Sequence, residues 1–244
     1  EKRQASKKGG GPSLSVKKEG AGQIALVGRP TSGKTTFFNA MTGLHHTVGN
    51  YGFTTTKPEV GMVDFKGAKI QLVDLPAVVE GSAQGKAAGK EILGVVHNAD
   101  ALVMVARGDH VMEDFQLLTQ ELKNSGILLN RKKPNVTITP SGFPGISITG
   151  KEHLKIPQEK LTGFLKSMGM YNVEVVLREP TTLDTLAEAM DEKLVYKKTL
   201  LVIMKNGSKI PSKNDVHTLI WNENKEQILS TTTQLFELLD KVYV

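Results

Sequence analysis

Short apolar runs alternate with amphipathic stretches along most of the chain. The runs QIALVG, KIQLVDLP, ADALVMVAR and TLLVIM have the length and composition of buried strands. Helical spacing of apolar residues appears at about 112–125 and in the closing stretch KEQILSTTTQLFELLDKV. Strands that alternate with helices predict an α/β fold with a doubly wound, mostly parallel sheet.

The alternation is interrupted in the middle of the chain. NVTITP and GISITG alternate like exposed strands around the turn sequence SGFPG, so we expect a hairpin. PQEKLTGFLKSMGM has the spacing of an amphipathic helix with Pro157 at its start, and NVEVVL is a third strand. The predicted organisation is a basic flexible segment at 1–22, a first part of the main domain at 23–126, a small α+β insert at 127–178 and a second part of the main domain at 179–244.

The leading segment carries most of the net charge. Residues 1–18 hold six basic side chains and one acidic, a net of +5, whereas the whole chain is +6. The segment also contains GGGP and lacks apolar periodicity, which predicts a flexible chain. Two interpretations stay open: a solvated linker, or a tail that lies along the phosphates of RNA or a ribosome.

Composition excludes several classes of protein. A hydrophobic share of 39% in 244 residues is enough for a substantial core. No run approaches the eighteen or so apolar residues that a membrane span needs, and no signal-peptide pattern opens the chain. The absence of cysteine excludes disulfides and fits a reducing compartment, so we expect a cytoplasmic protein.

The sequence GRPTSGKT, residues 28–35, lies between a predicted strand and a predicted helix, which is the context that a P-loop requires. Its glycines let successive N–H groups point at phosphate oxygens, and the helix N-terminus adds a positive end. Lys34 is expected to reach the β- and γ-phosphates, and the Thr35 hydroxyl to bind Mg²⁺. The predicted nucleotide contacts are Gly28, Arg29, Pro30, Thr31, Ser32, Gly33, Lys34, Thr35 and Thr36.

Three further features belong to the same predicted site. Asp74 ends a buried strand and is the expected second Mg²⁺ anchor, usually through water. The irregular, hydroxyl-rich stretch 50–61 contains three threonines, one of which is expected to close over the γ-phosphate and Mg²⁺. The glycine-rich stretch 80–91 predicts a second mobile segment that leads into a helix ending near Asn98.

From about residue 20 onward, the sequence resembles the DRG (developmentally regulated GTP-binding) branch of the Obg-related GTPases. The similar stretches are YGFTTTKPEVG, KGAKIQLVDLP, EGSAQGKAAGK, ELKNSGILLNRKKPNVTI and NVEVVLRE. The resemblance implies a Ras-like G domain with a DRG-type insert, bound GTP or GDP, Mg²⁺ and association with ribosomes. It also implies a helical segment before the G domain and a TGS domain after it, neither of which is visible here.

By the family pattern, Thr55 is the switch I threonine and a third Mg²⁺ ligand beside Thr35 and Asp74. The resemblance further implies catalytic roles for Lys34, Thr55 and Ala77. Ala77 departs from the family's Asp-x-x-Gly motif: it keeps the N–H that bonds the γ-phosphate but resists backbone angles with φ > 0. The next residue, Val78, stands where Ras-like enzymes carry a water-orienting glutamine, and Obg-like families also have an apolar residue there. Slow intrinsic hydrolysis, or a catalytic group from a protein partner, is therefore expected.

The guanine-reading motif Asn-Lys-x-Asp is eroded. Lys205 matches its lysine, but Met204 replaces the asparagine and Gly207 replaces the aspartate. A shifted register that places Asn206 in the asparagine role still leaves no carboxylate in reach. Loss of a bidentate carboxylate contact to a base removes discrimination on the order of 10²-fold.

Three functions are compatible with these residues. The first is a slow, Mg²⁺-dependent GTP hydrolase that acts as a translation-linked switch. The second is a pseudo-GTPase scaffold that binds nucleotide weakly, and the third is an ATPase or a nucleotide-promiscuous P-loop protein. We expect the first, because a scaffold that no longer binds nucleotide would not require Lys34, Thr35 and Asp74 together.

Overall fold

The computed structural model divides into a main unit, Glu1–Asn130 with Lys197–Val244, and an inserted unit, Arg131–Tyr196. The residues that it describes are 16–46, 57–204, 217–221 and 225–240. The strands are β1 Gly22–Val27, β2 Glu59–Phe65, β3 Ala68–Asp74, β4 Ala101–Arg107, β5 Ile127–Leu129, β6 Val136–Pro140, β7 Ile146–Thr149, β8 Val173–Leu177, β9 Val195–Met204 and β10 His217–Trp221. The helices are α1 Lys34–Thr42, α2 Gly89–Asn98, α3 Val111–Asn124, α4 Gln158–Ser167, α5 Leu183–Met190 and α6 Lys225–Asp240.

The main unit is built on one twisted sheet with the strand order β10-β9-β4-β1-β3-β2, and β5 pairs with β9. Strands β10, β9, β4, β1 and β3 run parallel to one another, whereas β2 is antiparallel to β3. Parallel neighbours that are not consecutive in sequence require helical crossovers, and the helices α1, α2 and α3 follow strands of this sheet. The predicted doubly wound, Ras-like α/β fold is confirmed.

The core lies on both faces of the central strands. All six residues of β1 and the first six of β4 are buried, which is typical of parallel strands covered by helices on both sides. On one face α1 and α6 pack against β1, and the ring centroids of Phe37 and Trp221 lie 5.0 Å apart in an edge-on arrangement. A Cβ built on Gly22 would lie 2.7 Å from Leu239 Cδ1, so α6 packs directly on the backbone of β1.

Besides β5, two strands of the main sheet, β2 and β10, were not predicted. The stretch 50–61 was expected to be irregular throughout, but β2 begins at Glu59. Its Gly61 allows the strand to approach α1, since a Cβ there would lie 2.5 Å from Thr42 Cγ2 and 2.9 Å from Phe38 Cζ. The strand β10 is short and ends at the buried Trp221. Both strands lie at sheet edges, where polar and apolar residues mix and the pattern carries less information.

The inserted unit is a three-stranded sheet with two helices. Its core contains Leu161 and Leu165 from α4, Leu186 from α5, and Val173 and Val175 from β8. The predicted α+β character is confirmed. Because α5 packs into this core, the compact unit extends to Tyr196, beyond the predicted insert at 127–178, and β5 belongs to the main sheet.

The predicted hairpin of β6 and β7 is wrong. Strand β8 lies between them: β6 pairs with it antiparallel and β7 parallel. The turn at 141–145 therefore carries the chain across β8. Backbone bonds from Ser141 N–H to Asn172 O (3.0 Å) and from Val173 N–H to Gly145 O (3.2 Å) hold this crossing. The reason is that β8 carries the most regularly buried residues and occupies the centre of the sheet, which local alternation does not reveal.

No helix in the described part of the chain is long and apolar enough to cross a membrane.

Candidate nucleotide-binding site

The P-loop, residues 28–35, connects β1 to α1 and depends on glycine at both ends. A Cβ on Gly28 would lie 2.5 Å from Ser32 Oγ and 2.7 Å from Val105 O, so no side chain fits there. Gly33 precedes the helix with φ 95°, a left-handed conformation that glycine adopts readily. The loop turns back on itself through the bond from Ser32 N–H to Arg29 O, 3.2 Å. This backbone is the nest of N–H groups that suits an anion at a helix N-terminus.

Lys34, Thr35 and Asp74 converge beside this loop. The parallel register pairs Leu26 of β1 with Asp74 of β3, which brings the end of β3 next to the start of α1. Thr35 Oγ1 donates to Asp74 Oδ2 at 2.7 Å, and Asp74 is completely buried. A hydroxyl and a carboxylate in contact are oxygen ligands of the kind that Mg²⁺ binds together with phosphate oxygens. The residues present therefore fit Mg²⁺ and a nucleoside triphosphate.

Lys34 is only 7% exposed at the first turn of α1. Burial lowers the pKa of Lys34 from its usual 10.5, and the nearby Asp74 carboxylate opposes that shift. A buried cation with one acidic neighbour gains from a second negative partner, and a triphosphate supplies one. The Ser32 hydroxyl is also buried and lacks a hydrogen-bond partner within the described residues, which fits a phosphate oxygen at this loop.

The Arg29 side chain contacts α3. Arg29 Nη1 lies 3.0 Å from Asp114 Oδ1 of α3, so its side chain is engaged there and only its backbone remains for a nucleotide. Thr31 adopts φ 61°, an uncommon value for threonine. Arg29, Pro30 and Thr31 line a cavity of about 470 Å³ with Arg107 and His110. Thr36, predicted as a contact, is half-buried on α1.

The segment after Asp74 is held against the P-loop. Ala77 is 5% exposed, Val78 is completely buried, and Val78 N–H donates to Gly28 O at 3.0 Å. Ala77 is not among the residues with positive φ, so alanine is unstrained in this arrangement. The apolar Val78 side chain lies in the core and offers no group that would orient a water molecule.

The base side of the site is described only up to Met204. Met204 ends β9, is 8% exposed and packs on Gly33: a Cβ there would lie 2.9 Å from Met204 Cγ. The end of β9 is thus in van der Waals contact with the P-loop. The predicted base-binding residues Lys205 and Asn206, and the predicted switch I threonine Thr55, lie outside the described residues.

His46 and Glu59, which lie on opposite sides of the switch I stretch in sequence, contact each other. His46 Nδ1 lies 2.8 Å from Glu59 Oε2, and the backbone of His46 exchanges two hydrogen bonds with the Asn39 side chain of α1. The His46 ring also packs on Phe38 with centroids 5.4 Å apart. The chain on both sides of residues 47–56 is therefore anchored near the helix that follows the P-loop.

Sequence reasoning missed two residues of α3 that hold the phosphate site. Asp114 binds Arg29 of the P-loop, and Glu121 accepts backbone N–H groups of the segment after Val78. A signal was present: the apolar residues Val111, Leu118 and Leu122 define the buried face of α3, and both acids fall on that face. Carboxylates on the apolar face of a helix indicate a specific buried partner.

Comparisons with known proteins find GTP-binding relatives. A protein-family model described as 50S ribosome-binding GTPase matches residues 23–139. An uncharacterized GTP-binding protein of Halobacterium salinarum is 35% identical over 202 residues, 83% of this chain and 54% of that protein. Developmentally-regulated GTP-binding protein 2 of Homo sapiens is 37% identical over 202 residues, 82% of this chain and 55% of that protein. These matches show a P-loop GTP-binding domain that is similar to the developmentally regulated GTP-binding (DRG) proteins over about four fifths of this chain.

The chain spans about half the length of the curated relatives it matches. Among solved structures, NFeoB of S. thermophilus bound to GDP.AlF4⁻ and K⁺ is 22% identical, with 72% of this chain and 55% of that chain covered and a TM-score of 0.37. The predicted resemblance to the DRG family is confirmed. Guanine nucleotide and Mg²⁺ are the family's cofactors, and the residues of this site fit them.

Proposed function

We propose that this chain is a slow, Mg²⁺-dependent GTP hydrolase domain that works as a ribosome-associated switch. The observation that carries the proposal is the convergence of Lys34, Thr35 and Asp74, with Thr35 Oγ1 2.7 Å from Asp74 Oδ2. With nucleotide and Mg²⁺ bound, Lys34 would neutralise phosphate charge, and Thr35 and Asp74 would hold the metal, which would stabilise the charge of the transferred phosphoryl group. Thr55 is the proposed third residue of the metal site.

Low intrinsic activity follows from the residues after Asp74. Ala77 supplies an N–H to the γ-phosphate, but its side chain disfavours backbone angles with φ > 0 and slows rearrangement of the segment. Val78 is buried and apolar, so the attacking water is not oriented from this position. A partner protein that supplies a polar or cationic group raises the rate, as catalytic groups supplied in trans do in other GTPases.

The proposed partner is the ribosome or RNA, reached through the basic segment 1–22. Support comes from its sequence, with a net charge of +5 over residues 1–18, and from the description of the matching family model as ribosome-binding. Polyphosphate surfaces attract such a segment without sequence preference. A cytoplasmic location stays a prediction, made from composition.

A second function is favoured by one observation. Met204 packs its apolar side chain on Gly33, and Gly207 offers no carboxylate to a base. A site that keeps its phosphate-binding residues but lacks the residues that recognise guanine binds ATP nearly as well as GTP. Alternatively, such a site belongs to a scaffold that binds nucleotide weakly. In this alternative the chain is a nucleotide-promiscuous or pseudo-GTPase domain.

One experiment separates these functions. The purified chain is titrated with fluorescent GTP, GDP and ATP derivatives, each with and without Mg²⁺, and phosphate release is then followed with the unlabelled triphosphates. Mg²⁺-dependent triphosphate binding with slow phosphate release from GTP supports the hydrolase. Equal binding and turnover of ATP supports the promiscuous alternative, and an absence of binding to all three overturns the nucleotide-binding function.

A further inference from the structure

The helix α3 places two carboxylates on its buried face, two turns apart. Asp114 is 6% exposed and Glu121 is 5% exposed. Carboxylates this far from water are retained where specific donors satisfy them. Their spacing of seven residues puts them on one side of the helix, about 10.5 Å apart along its axis. Each of them contacts a different loop of the phosphate site.

The contact at the N-terminal end of α3 is with the P-loop. Asp114 Oδ1 lies 3.0 Å from Arg29 Nη1, and Arg29 is the second residue of the loop. A guanidinium bound to a buried carboxylate is a strong, directional contact. This contact links the P-loop to α3.

The contact two turns later is with the segment 79–89, which follows Val78 and is called the switch II segment below. Gly81 N–H donates to Glu121 Oε1 at 2.9 Å, and Ala83 N–H donates to Glu121 Oε2 at 2.8 Å. Both oxygens of one buried carboxylate thus accept backbone groups of the same loop. Hydrogen bonds to an ionised acceptor are about twice as strong as those between neutral groups.

The switch II segment is also packed as one body around Ser82, which is completely buried. Val79 N–H donates to Ser82 Oγ at 2.9 Å, and Gly85 N–H donates to Ser82 O at 2.9 Å. A Cβ on Gly89 would lie only 2.2 Å from Ser82 O, so the start of α2 lies directly against this turn. Because the turn is internally bonded, it leaves α3 as a unit, and both contacts with Glu121 break together.

We propose that Glu121 is a positioning residue that latches the switch II segment to α3 and thereby sets how readily this segment rearranges in response to nucleotide. The proposal rests on the proposed function, since it concerns regulation of the same site. Glu121 holds Gly81 and Ala83, and this fixes the chain that presents Ala77 to the γ-phosphate. When the segment moves, the buried carboxylate loses both donors, so two discrete arrangements are favoured over a continuous range.

The test begins with hydrogen exchange of the nucleotide-free chain, so it does not require nucleotide binding. In Glu121→Gln one acceptor oxygen becomes a donor that faces a backbone N–H. The amides of Gly81 and Ala83 should then exchange about tenfold faster or more, as expected when a charge-assisted bond is removed. Glu113→Gln is the matched control, because Glu113 lies on the same helix with its side chain 73% exposed. It should leave these amides unchanged.

The functional arm uses the same variants. In Glu121→Gln the single-turnover rate of GTP hydrolysis should fall about tenfold, while the Kd for fluorescent GTP should change less than about threefold. A loss of rate without a loss of affinity is expected when a residue that positions the site is removed. Glu121→Asp, whose shorter side chain cannot reach both amides, should behave in the same direction and provides a second variant if Glu121→Gln folds poorly.

Three outcomes overturn the proposal. Unchanged exchange at Gly81 and Ala83 means that no latch exists. Faster exchange throughout β1 and β3 as well means that Glu121 supports the whole unit. Faster local exchange with an unchanged hydrolysis rate means that the latch does not position the site. If the unmodified chain binds no nucleotide, the proposed function fails by itself, and the exchange experiment still decides whether the latch exists.

Discussion

The side chain of Met204 covers the α-carbon of Gly33. A Cβ built on Gly33 would lie 2.9 Å from Met204 Cγ and 3.2 Å from Met204 Cε, so the end of β9 and the start of α1 are in direct apolar contact. The strand that leads to the predicted base-binding residues is therefore joined to the P-loop by packing of apolar groups.

This relationship leads to a prediction about nucleotide choice. The unmodified chain should prefer GTP over ATP by less than about tenfold, whereas Met204→Asn combined with Gly207→Asp should raise the preference about 100-fold. Aspartate accepts from guanine N1–H and the 2-amino group, and adenine lacks these donors. Competition of unlabelled GTP and ATP against one labelled nucleotide measures both ratios. Strong discrimination by the unmodified chain would show that another residue reads guanine.

Lys34→Ala should weaken triphosphate binding at least about 100-fold, because we propose that the buried ammonium group contacts the β- and γ-phosphates. The nucleotide-free variant should remain folded, because burial, which lowers the pKa of Lys34, makes its charge costly in the fold and the Asp74 carboxylate offsets only part of that cost. The measurements are a fluorescent nucleotide titration and a thermal melt. Lys123→Ala, an exposed position on α3, serves as the control. An unchanged affinity in Lys34→Ala would contradict the P-loop assignment.

Thr35 should control the dependence on Mg²⁺. Its hydroxyl lies 2.7 Å from Asp74 Oδ2, and Thr35→Val removes the metal ligand while it keeps the shape of the side chain. We expect Mg²⁺ to strengthen GTP binding at least about tenfold in the unmodified chain and hardly at all in Thr35→Val. Thr35→Ser, which restores the hydroxyl, should recover most of the effect. Equal Mg²⁺ dependence in the valine and serine variants would exclude Thr35 as a ligand.

The basic segment should confer salt-dependent affinity for RNA or ribosomes. The deletion is best ended at residue 15, because Lys18 pairs with Asp100 at 2.5 Å and Gln71 donates to the backbone oxygen of Lys17, so these residues belong to the folded unit. Removal of 1–15 should flatten the slope of log affinity against log salt concentration by roughly 0.7–0.9 for each phosphate that the segment neutralises. Identical slopes with and without these residues would leave a linker role only.

The phenol of Tyr196, in the inserted unit, should lose its proton at a higher pH than an ordinary tyrosine. Burial raises its pKa to about 12, and the hydrogen bond to Glu188 adds to the shift. Because the folded pKa lies above the usual 10, the stabilisation is complete below pH 10 and is lost as the pH rises toward 12. Glu188→Ala should lower the pKa of Tyr196, as read from tyrosinate absorbance after subtraction of the Tyr196→Phe curve. Glu192→Ala should leave it unchanged; an equal shift in both variants would exclude the specific bond.

Most of the phosphate half of the site was predictable because it is local. A strand, a glycine loop and a helix follow one another in the chain, so the positions of Lys34 and Thr35 depend on residues close to them in sequence. Asp74 was also found, since it ends a strand that the apolar pattern marks and a parallel sheet brings strand ends to one edge. The edge strands β2 and β10 were not predicted, because their apolar and polar residues do not alternate with a clear period.

The α/β class, the P-loop motif and the departures at Ala77, Met204 and Gly207 could be read from the chain alone, because each of these depends on residue identity or pattern at a fixed spacing. Tertiary structure alone decided that β8 separates β6 from β7, that Arg29 points to Asp114, and that Glu121 holds the switch II segment. The physical reason is sequence distance: Arg29 and Asp114 are separated by 85 positions, and Glu121 and Gly81 by 40. Such contacts arise only when the sheet order brings α3 beside both loops, and no local pattern encodes that order.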